Sequence, residues 1–219
     1  MIAPVDVELA EAVIATAREM GARGINHGRS GNVSTRTATG MLVTPSSVAY
    51  DELTPDDVVA VDADGSWRVA NDRRPSSEWR FHLDVLAARP EAAAVVHAHP
   101  INATALACHR RGIGSFHYMV AMAGGHDIRC ADYATFGTPE LSANVVSALD
   151  GRRACLLANH GVVAIGPSLG AALDLAVEVE VLAGQYLAAL AIGEPVALTA
   201  AEMDEVLAKM ATGAGYGST

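Results

Sequence analysis

At 219 residues the chain has the length of one large domain, and with 51% of it hydrophobic it can fill a sizeable core. A formal net charge of −10 argues against nucleic acid or an anionic membrane as partner, although a local positive field could still hold a small anionic substrate. The three cysteines, Cys108, Cys130 and Cys155, are odd in number and form no C-x-x-C, so they read as reduced cytosolic thiols.

Residues 1–8 lack a basic segment followed by an apolar one, so no signal peptide is expected. Residues 6–20 carry Leu9, Val13, Ile14, Ala17 and Met20 at helical spacing, and Gly21 and Gly24 end that helix. The loop at 24–36 mixes Gly with Asn and Ser. Such a loop can turn several backbone N–H groups toward an anion, but an ordinary turn is its commoner use, and it is not a P-loop. A short strand at 41–44 leads to a second loop, Pro45-Ser46-Ser47, with hydroxyls and free amides. Thr54-Pro55-Asp56-Asp57 has the form of an N-cap, a proline and first-turn acids. Residues 58–62 and 67–70 read as a hairpin around Ala63-Asp64-Gly65. At 75–83, a serine N-cap and Glu78 in the first turn open a helix reaching about Arg89. Glu78 there would most commonly serve the helix dipole, while a helix start with Ser76 and Ser77 is also an anion site.

Residues 92–96 read as a buried strand running into His97-Ala98-His99-Pro100. In a strand, residues i and i+2 share a face, so His97 and His99 aim two imidazoles at one spot, as a strand presents ligands to a metal. The pair alone is equally compatible with two partly buried histidines bonded to backbone carbonyls. Pro100 suits the first position of a helix over 101–108. Residues 114–122 contain His117 and Tyr118, 123–127 form a turn, and Thr138-Pro139 starts a helix that ends near Asp150. Apolar strand-like runs at 154–158 and 161–165 flank a tight turn carrying His160. Ser168 caps a long apolar helix to Ile192; Asp174, Glu178 and Glu180 make it a poor membrane span and a good buried helix. Thr199 and Glu202 form a capping box for a last helix, and the Gly-rich residues 211–219 are expected to be mobile. No repeat or interdomain linker interrupts the chain, so 1–219 is expected to be one domain of mixed α/β class.

Taken in order, the Ser-Gly-Asn loop, the Thr-Pro-Ser-Ser loop, Ser-Ser-Glu-Trp-Arg-Phe-His, His-x-His-Pro and the lone Asn-His-Gly resemble the class II (zinc-dependent) aldolase and ribulose-phosphate epimerase family. Residues 75–82 and 117–138 carry most of that likeness, which extends over roughly 9–210. The resemblance implies a three-layer α/β/α sandwich with a mainly antiparallel sheet, assembled as a cyclic homotetramer with sites at subunit interfaces. It implies one Zn2+ per subunit on His97, His99 and His160, the three-ligand pattern of a catalytic zinc. Glu78 would be the catalytic acid/base, and Tyr118 would reach a neighbouring subunit's site. Gly31 and Asn32, Ser46 and Ser47, and Ser76 and Ser77 would hold a substrate phosphate.

The activity implied is reversible cleavage of L-fuculose 1-phosphate, or a close ketose 1-phosphate, to dihydroxyacetone phosphate and an aldehyde, in the cytoplasm. A sugar-phosphate 4-epimerase, a sugar-acid phosphate decarboxylase, a methylthioribulose-phosphate dehydratase or a non-catalytic module are the alternatives on the same scaffold. Two departures stand out: Tyr216 lies a few residues beyond the place of a family tail tyrosine, and Ser47 stands where close relatives carry glycine. His27, His82, His109, His117 and His126 match no ligand position and read as structural or surface residues.

Overall fold

The structure, a computed structural model, describes residues 6–68 and 72–212. Its frame is an eight-stranded sheet. In chain order the strands are β1 (Asn32–Arg36), β2 (Gly40–Val43), β3 (Val59–Asp62), β4 (Trp67–Arg68), β5 (Ala94–Ala98), β6 (Arg129–Ala131), β7 (Ala154–Leu157) and β8 (Gly161–Gly166). They lie side by side as β4-β3-β2-β1-β5-β8-β7-β6. Among the described residues every pairing is antiparallel except that of β6 with β7.

Alternation along the central strands sorts their side chains to two cores. Ala94, Val96 and Ala98 of β5 and Val162 and Ala164 of β8 face α1 (Val7–Ala22), α3 (Ile101–Cys108) and α5 (Leu169–Ile192). Val95, Val163 and Ile165 face the other way, toward α2 (Trp79–Ala88) and α4 (Pro139–Ala148). Both faces are thus covered by helices, which is why these strands read as unbroken apolar runs. The last helix, α6 (Ala200–Ala211), adds Met203 to the first core. The result is the three-layer α/β/α sandwich with a mainly antiparallel sheet.

Local chemistry sets the helix starts. Asp6, Thr138, Ser168 and Thr199 accept a bond from the N–H three residues on, and Glu202 completes a capping box with Thr199. On α2, Phe81, Val85 and Leu86 are buried on the sheet side; truncating a core phenylalanine such as Phe81 to alanine costs about 3–5 kcal/mol. By length and composition α5 could cross a membrane. Here it lies against β5 and β8, and its Glu180 carboxylate accepts the backbone N–H groups of Asn102 (2.9 Å) and Ala103 (2.8 Å) at the start of α3.

Several boundaries differ from the sequence expectations. β5 continues to Ala98, two residues past the expected end, because pairing with β1 and β8 carries on through His97. Pro100 is the N-cap of α3 rather than its first residue. Tyr118–Ala123 forms a 3-10 helix. The second arm of the expected hairpin is Trp67–Arg68, and residues 69–71 lie outside the described residues. Ala211 still belongs to α6; 213–219, with Tyr216 and the rest of the expected mobile tail, lie outside them too. Most consequential, α2 begins at Trp79, so Glu78 is its N-cap and not a first-turn acid.

Candidate active site

Antiparallel topology brings three distant segments to one end of the sheet. β5 rises to His97; β1 begins beside it, with Asn32 opposite His97; β8 begins on the other side, just after His160. His97 shares the parity of Val95 and therefore faces the α2 layer, where its ring meets Phe81 edge-on. The β7–β8 turn is tight, with Asn159 at φ +54°. A Cβ at Gly161 would lie 2.4 Å from the Ala98 carbonyl oxygen and 2.6 Å from the His99 ring, so glycine alone lets β8 start this close.

The imidazoles of His97, His99 and His160 converge, with ligand atoms all within 4.8 Å of one another. The Nε2 atoms of His97 and His99 are 2.9 Å apart. The His97 Nδ1–H donates to the Val162 carbonyl (2.9 Å), which fixes the ring and points Nε2 into the cluster. In a tetrahedral zinc site with Zn–N near 2.0–2.1 Å, ligand nitrogens stand roughly 3.3 Å apart, and these separations bracket that span.

Glu78 completes the cluster. An N-cap side chain normally accepts a helix N–H, but that of Glu78 makes no such bond. Its carboxylate turns into the site, 4% exposed, with Oε2 3.1 Å from His97 Nε2 and Oε1 3.3 Å from His160 Nε2. Burial alone would raise its pKa, but the charge and hydrogen bond of His97, then His160 and Asn32, outweigh it and hold the carboxyl well below the usual range. Burial likewise lowers His97, yet Glu78 reverses the balance and raises it. His99 and His160 fall to about 3 and about 4, first through burial and then through the charge on His97. An ionised, buried carboxylate therefore faces three imidazole nitrogens that can carry either a proton or a metal, and its Oε1 has no hydrogen-bond partner among the described residues. That donor set and that unsatisfied acceptor fit a divalent cation.

Behind Glu78 runs a buried polar chain. Asn32 Nδ2–H donates to Glu78 Oε2 (2.9 Å), His82 Nε2 meets Asn32 Oδ1, and Ser34 Oγ lies 2.7 Å from His82 Nδ1. Burial, followed by the charge on His97, takes the His82 pKa down to about 3. The Tyr50 hydroxyl donates to the Gly31 carbonyl, and burial together with the Glu78 charge raises its pKa. The sequence alone reads His82 as a structural or surface histidine and marks no role for Tyr50. The available signal was spacing: His82 stands four residues after Glu78, on the same side of the helix.

The three expected phosphate segments are joined. Arg29 donates to the Ser47 carbonyl (3.1 Å), tying the first loop to the second. The Ser46 N–H bonds to Arg74 O and the Ser76 N–H to Thr44 O, tying the second to the third. Gly31, Asn32, Ser46, Ser47, Ser76 and Ser77 are thereby gathered around the start of α2. Asn32 and Ser76 are buried, Ser46, Ser47 and Ser77 are exposed, and Ser76 Oγ accepts the Glu78 N–H (3.3 Å). Ser47 is left-handed, at φ +64°, a conformation glycine adopts without strain. The Phe136–Gly137 segment adjoins: a Cβ on Gly137 would lie 2.7 Å from the Ser77 carbonyl, and Phe136, like Tyr133 before it, is exposed. Tyr118 is placed elsewhere. It opens the 3-10 helix that packs on α5 and α6, in the layer on the opposite face of the sheet, and is 40% exposed.

Residues 11–187 match the family described as class II aldolase and adducin N-terminal domain. The chain is 52% identical over 206 residues to a 5-methylthioribulose-1-phosphate/5-deoxyribulose-1-phosphate aldolase of Rhodospirillum rubrum, covering 94% of this chain and 92% of that one. It is 48% identical to the L-fuculose phosphate aldolase of Escherichia coli strain K12, covering 94% and 95% of the two. A solved L-fuculose 1-phosphate aldolase superposes with a TM-score of 0.90 at 38% identity, covering 93% of this chain and 96% of its own.

Proposed function

We propose that this chain, which belongs to the class II aldolase family, is a zinc-dependent aldolase that reversibly cleaves a ketose 1-phosphate to dihydroxyacetone phosphate and an aldehyde. The observation that carries this reading is the Glu78 carboxylate, buried and ionised against the three-histidine cluster instead of capping its helix. His97, His99 and His160 would hold the metal, which when bound supplies Lewis-acid stabilisation of the negative charge developing next to C3.

The remaining work falls to the protein's own groups. In the condensing direction Glu78 takes the C3 proton of dihydroxyacetone phosphate. A carboxylate held in its ionised form at neutral pH is ready for that. Asn32 steadies it through one amide N–H and keeps a second N–H to offer elsewhere. The N–H and hydroxyl donors of Gly31, Asn32, Ser46, Ser47, Ser76 and Ser77 hold the phosphate, so a chain of net charge −10 needs no basic patch to bind a dianion. The Tyr118 hydroxyl, coming from the neighbouring subunit of a cyclic homotetramer, gives its proton to the aldehyde oxygen as that becomes the C4 hydroxyl. Its exposure and its position in the other helical layer support an action in trans. Residues 1–219 act as one domain, and free thiols at Cys108, Cys130 and Cys155 support a cytoplasmic place.

The substrate is L-fuculose 1-phosphate or a close ketose 1-phosphate, and the names of the two relatives mark the choice: they share carbons 1 to 3 and differ in the aldehyde half. Metal analysis followed by an assay of dihydroxyacetone phosphate release across L-fuculose, 5-deoxyribulose and 5-methylthioribulose 1-phosphates tests the reading. Release from one or more by metal-loaded protein is expected. No release from any of them, with C4 inversion, loss of water or decarboxylation of a sugar-acid phosphate instead, would replace aldol cleavage with the matching reaction on this scaffold.

A further inference from the structure

We infer that His82 and Ser34 form a buried lock that fixes the amide orientation of Asn32 and so positions Glu78 for proton transfer; the second half rests on the aldolase reading above. Donor and acceptor logic carries the argument. The ionised Glu78 carboxylate only accepts, so the Asn32 atom 2.9 Å away must be the Nδ2 donor. Asn32 Oδ1 then faces His82 Nε2, which must carry a hydrogen. With burial disfavouring the imidazolium, His82 Nδ1 is left as an acceptor, and the Ser34 hydroxyl, 2.7 Å away, must donate to it. One hydrogen arrangement satisfies all four groups: Ser34 to His82 to Asn32 to Glu78.

The lock is dry and rigid. Ser34 and His82 are wholly buried and Asn32 nearly so, which leaves no solvent to replace a lost partner. The His82 ring is stacked on Phe81 at 4.6 Å between centroids, which resists its rotation. If the Asn32 amide turned over, a carbonyl oxygen would face the carboxylate, and an N–H would face the ring N–H. Those two repulsions in a low-dielectric interior hold the base in its place. His82 touches no reacting atom, so it is a positioning residue.

Two measurements test this. In metal-free protein carrying 15N-histidine, with the His82 signals assigned by their loss in His82→Gln, the ring should be neutral with its hydrogen on Nε2. A hydrogen on Nδ1, or on both nitrogens, overturns the lock. The second is exchange of the C3 proton of dihydroxyacetone phosphate into deuterated water by metal-loaded enzyme. His82→Leu should slow exchange on the order of tenfold to hundredfold at unchanged metal content, as loss of a hydrogen bond supporting a charged group does. His82→Gln, which can still present an N–H, should recover most of that loss. In an Asn32→Ala background His82→Leu should cost less than about twofold more, because the route through Asn32 is already cut. Independent, multiplying losses would make His82 a packing residue and overturn the proposal. If the wild type itself shows no exchange, the aldolase reading fails, and the ring spectrum still decides whether the lock exists.

Discussion

Replacing Glu78 by glutamine separates the shape of the site from its chemistry. The carboxylate holds three contacts: Oε2 with Asn32 Nδ2 (2.9 Å) and His97 Nε2 (3.1 Å), and Oε1 with His160 Nε2 (3.3 Å). A glutamine keeps the Asn32 bond only with its oxygen in the Oε2 place, which turns its NH2 toward His160. The side chain then fits nearly unchanged, and the three imidazoles remain to hold metal. What disappears is the proton acceptor. General-base catalysis contributes about 10²–10⁴ in rate, equivalent to about 3–5 kcal/mol of barrier. Glu78→Gln should therefore retain stoichiometric metal while C3 exchange of dihydroxyacetone phosphate falls by that factor. Exchange is followed by NMR in deuterated water and metal by elemental analysis. A variant exchanging within about threefold of wild type, with metal bound, would remove Glu78 from the proton transfer.

Three further outcomes follow from the same geometry. His160→Ala leaves two imidazoles and should abolish stoichiometric metal and activity while the protein stays folded by circular dichroism; full occupancy would break the ligand assignment. His82 has a folded pKa of about 3 against about 6.5 unfolded, so the stability tied to its neutral ring is complete above pH 6.5 and is lost as pH falls toward 3. The destabilisation caused by His82→Gln in metal-free protein should therefore shrink by about 2 kcal/mol between pH 7.5 and pH 5.0 in urea unfolding, and a gap independent of pH would contradict the buried neutral ring. Finally, Tyr118→Phe and Glu78→Gln should each be nearly inactive, yet regain activity when unfolded together and reassembled. Hybrids as inactive as the parents would confine Tyr118 to its own subunit or exclude it.

The most legible parts of the chain were those governed by local rules. The His-x-His pair could be read because strand parity fixes where i and i+2 point, and the helix starts because Ser and Thr caps act within three residues. Three things escaped. The two-sided helical cover of the sheet came from family resemblance rather than periodicity, since β5 and β8, buried on both faces, carry no alternating pattern. The N-terminal rule puts Glu78 one position inside its helix because it gives the cap to serine, whereas Glu78 takes the cap position without a cap bond and turns its carboxylate to the histidines. His82 reads from sequence only as a structural or surface histidine, because its partners, Ser34 and Asn32, lie 48 and 50 residues away and meet it only once β1 lies under α2.

The site divides in a way that bears on which substrate it takes. The cluster of His97, His99 and His160, Glu78, the Asn32–His82–Ser34 chain and the three joined loops lie within one subunit and, in the proposed reaction, meet the C1–C3 half. That half is common to the ketose phosphates named for the two relatives. Phe136 stands exposed next to Gly137, which meets Ser77, Tyr133 is exposed three residues before Phe136, and Tyr118 stands exposed on the other layer. These rim groups are where the variable aldehyde half would project. A pocket wall that changes by one methylene shifts selectivity by only about 1–3 kcal/mol, so a few rim side chains are enough to choose between the hydroxyethyl end of L-fuculose 1-phosphate and the methyl or methylthiomethyl end of the ribulose phosphates. Identities of 52% and 48% to proteins with different substrate names therefore rank neither substrate. If this division holds, Phe136→Ala should redistribute kcat/KM among aldehydes while leaving C3 exchange of dihydroxyacetone phosphate near its wild-type rate. An equal loss in exchange would place Phe136 in the common half and erase the division.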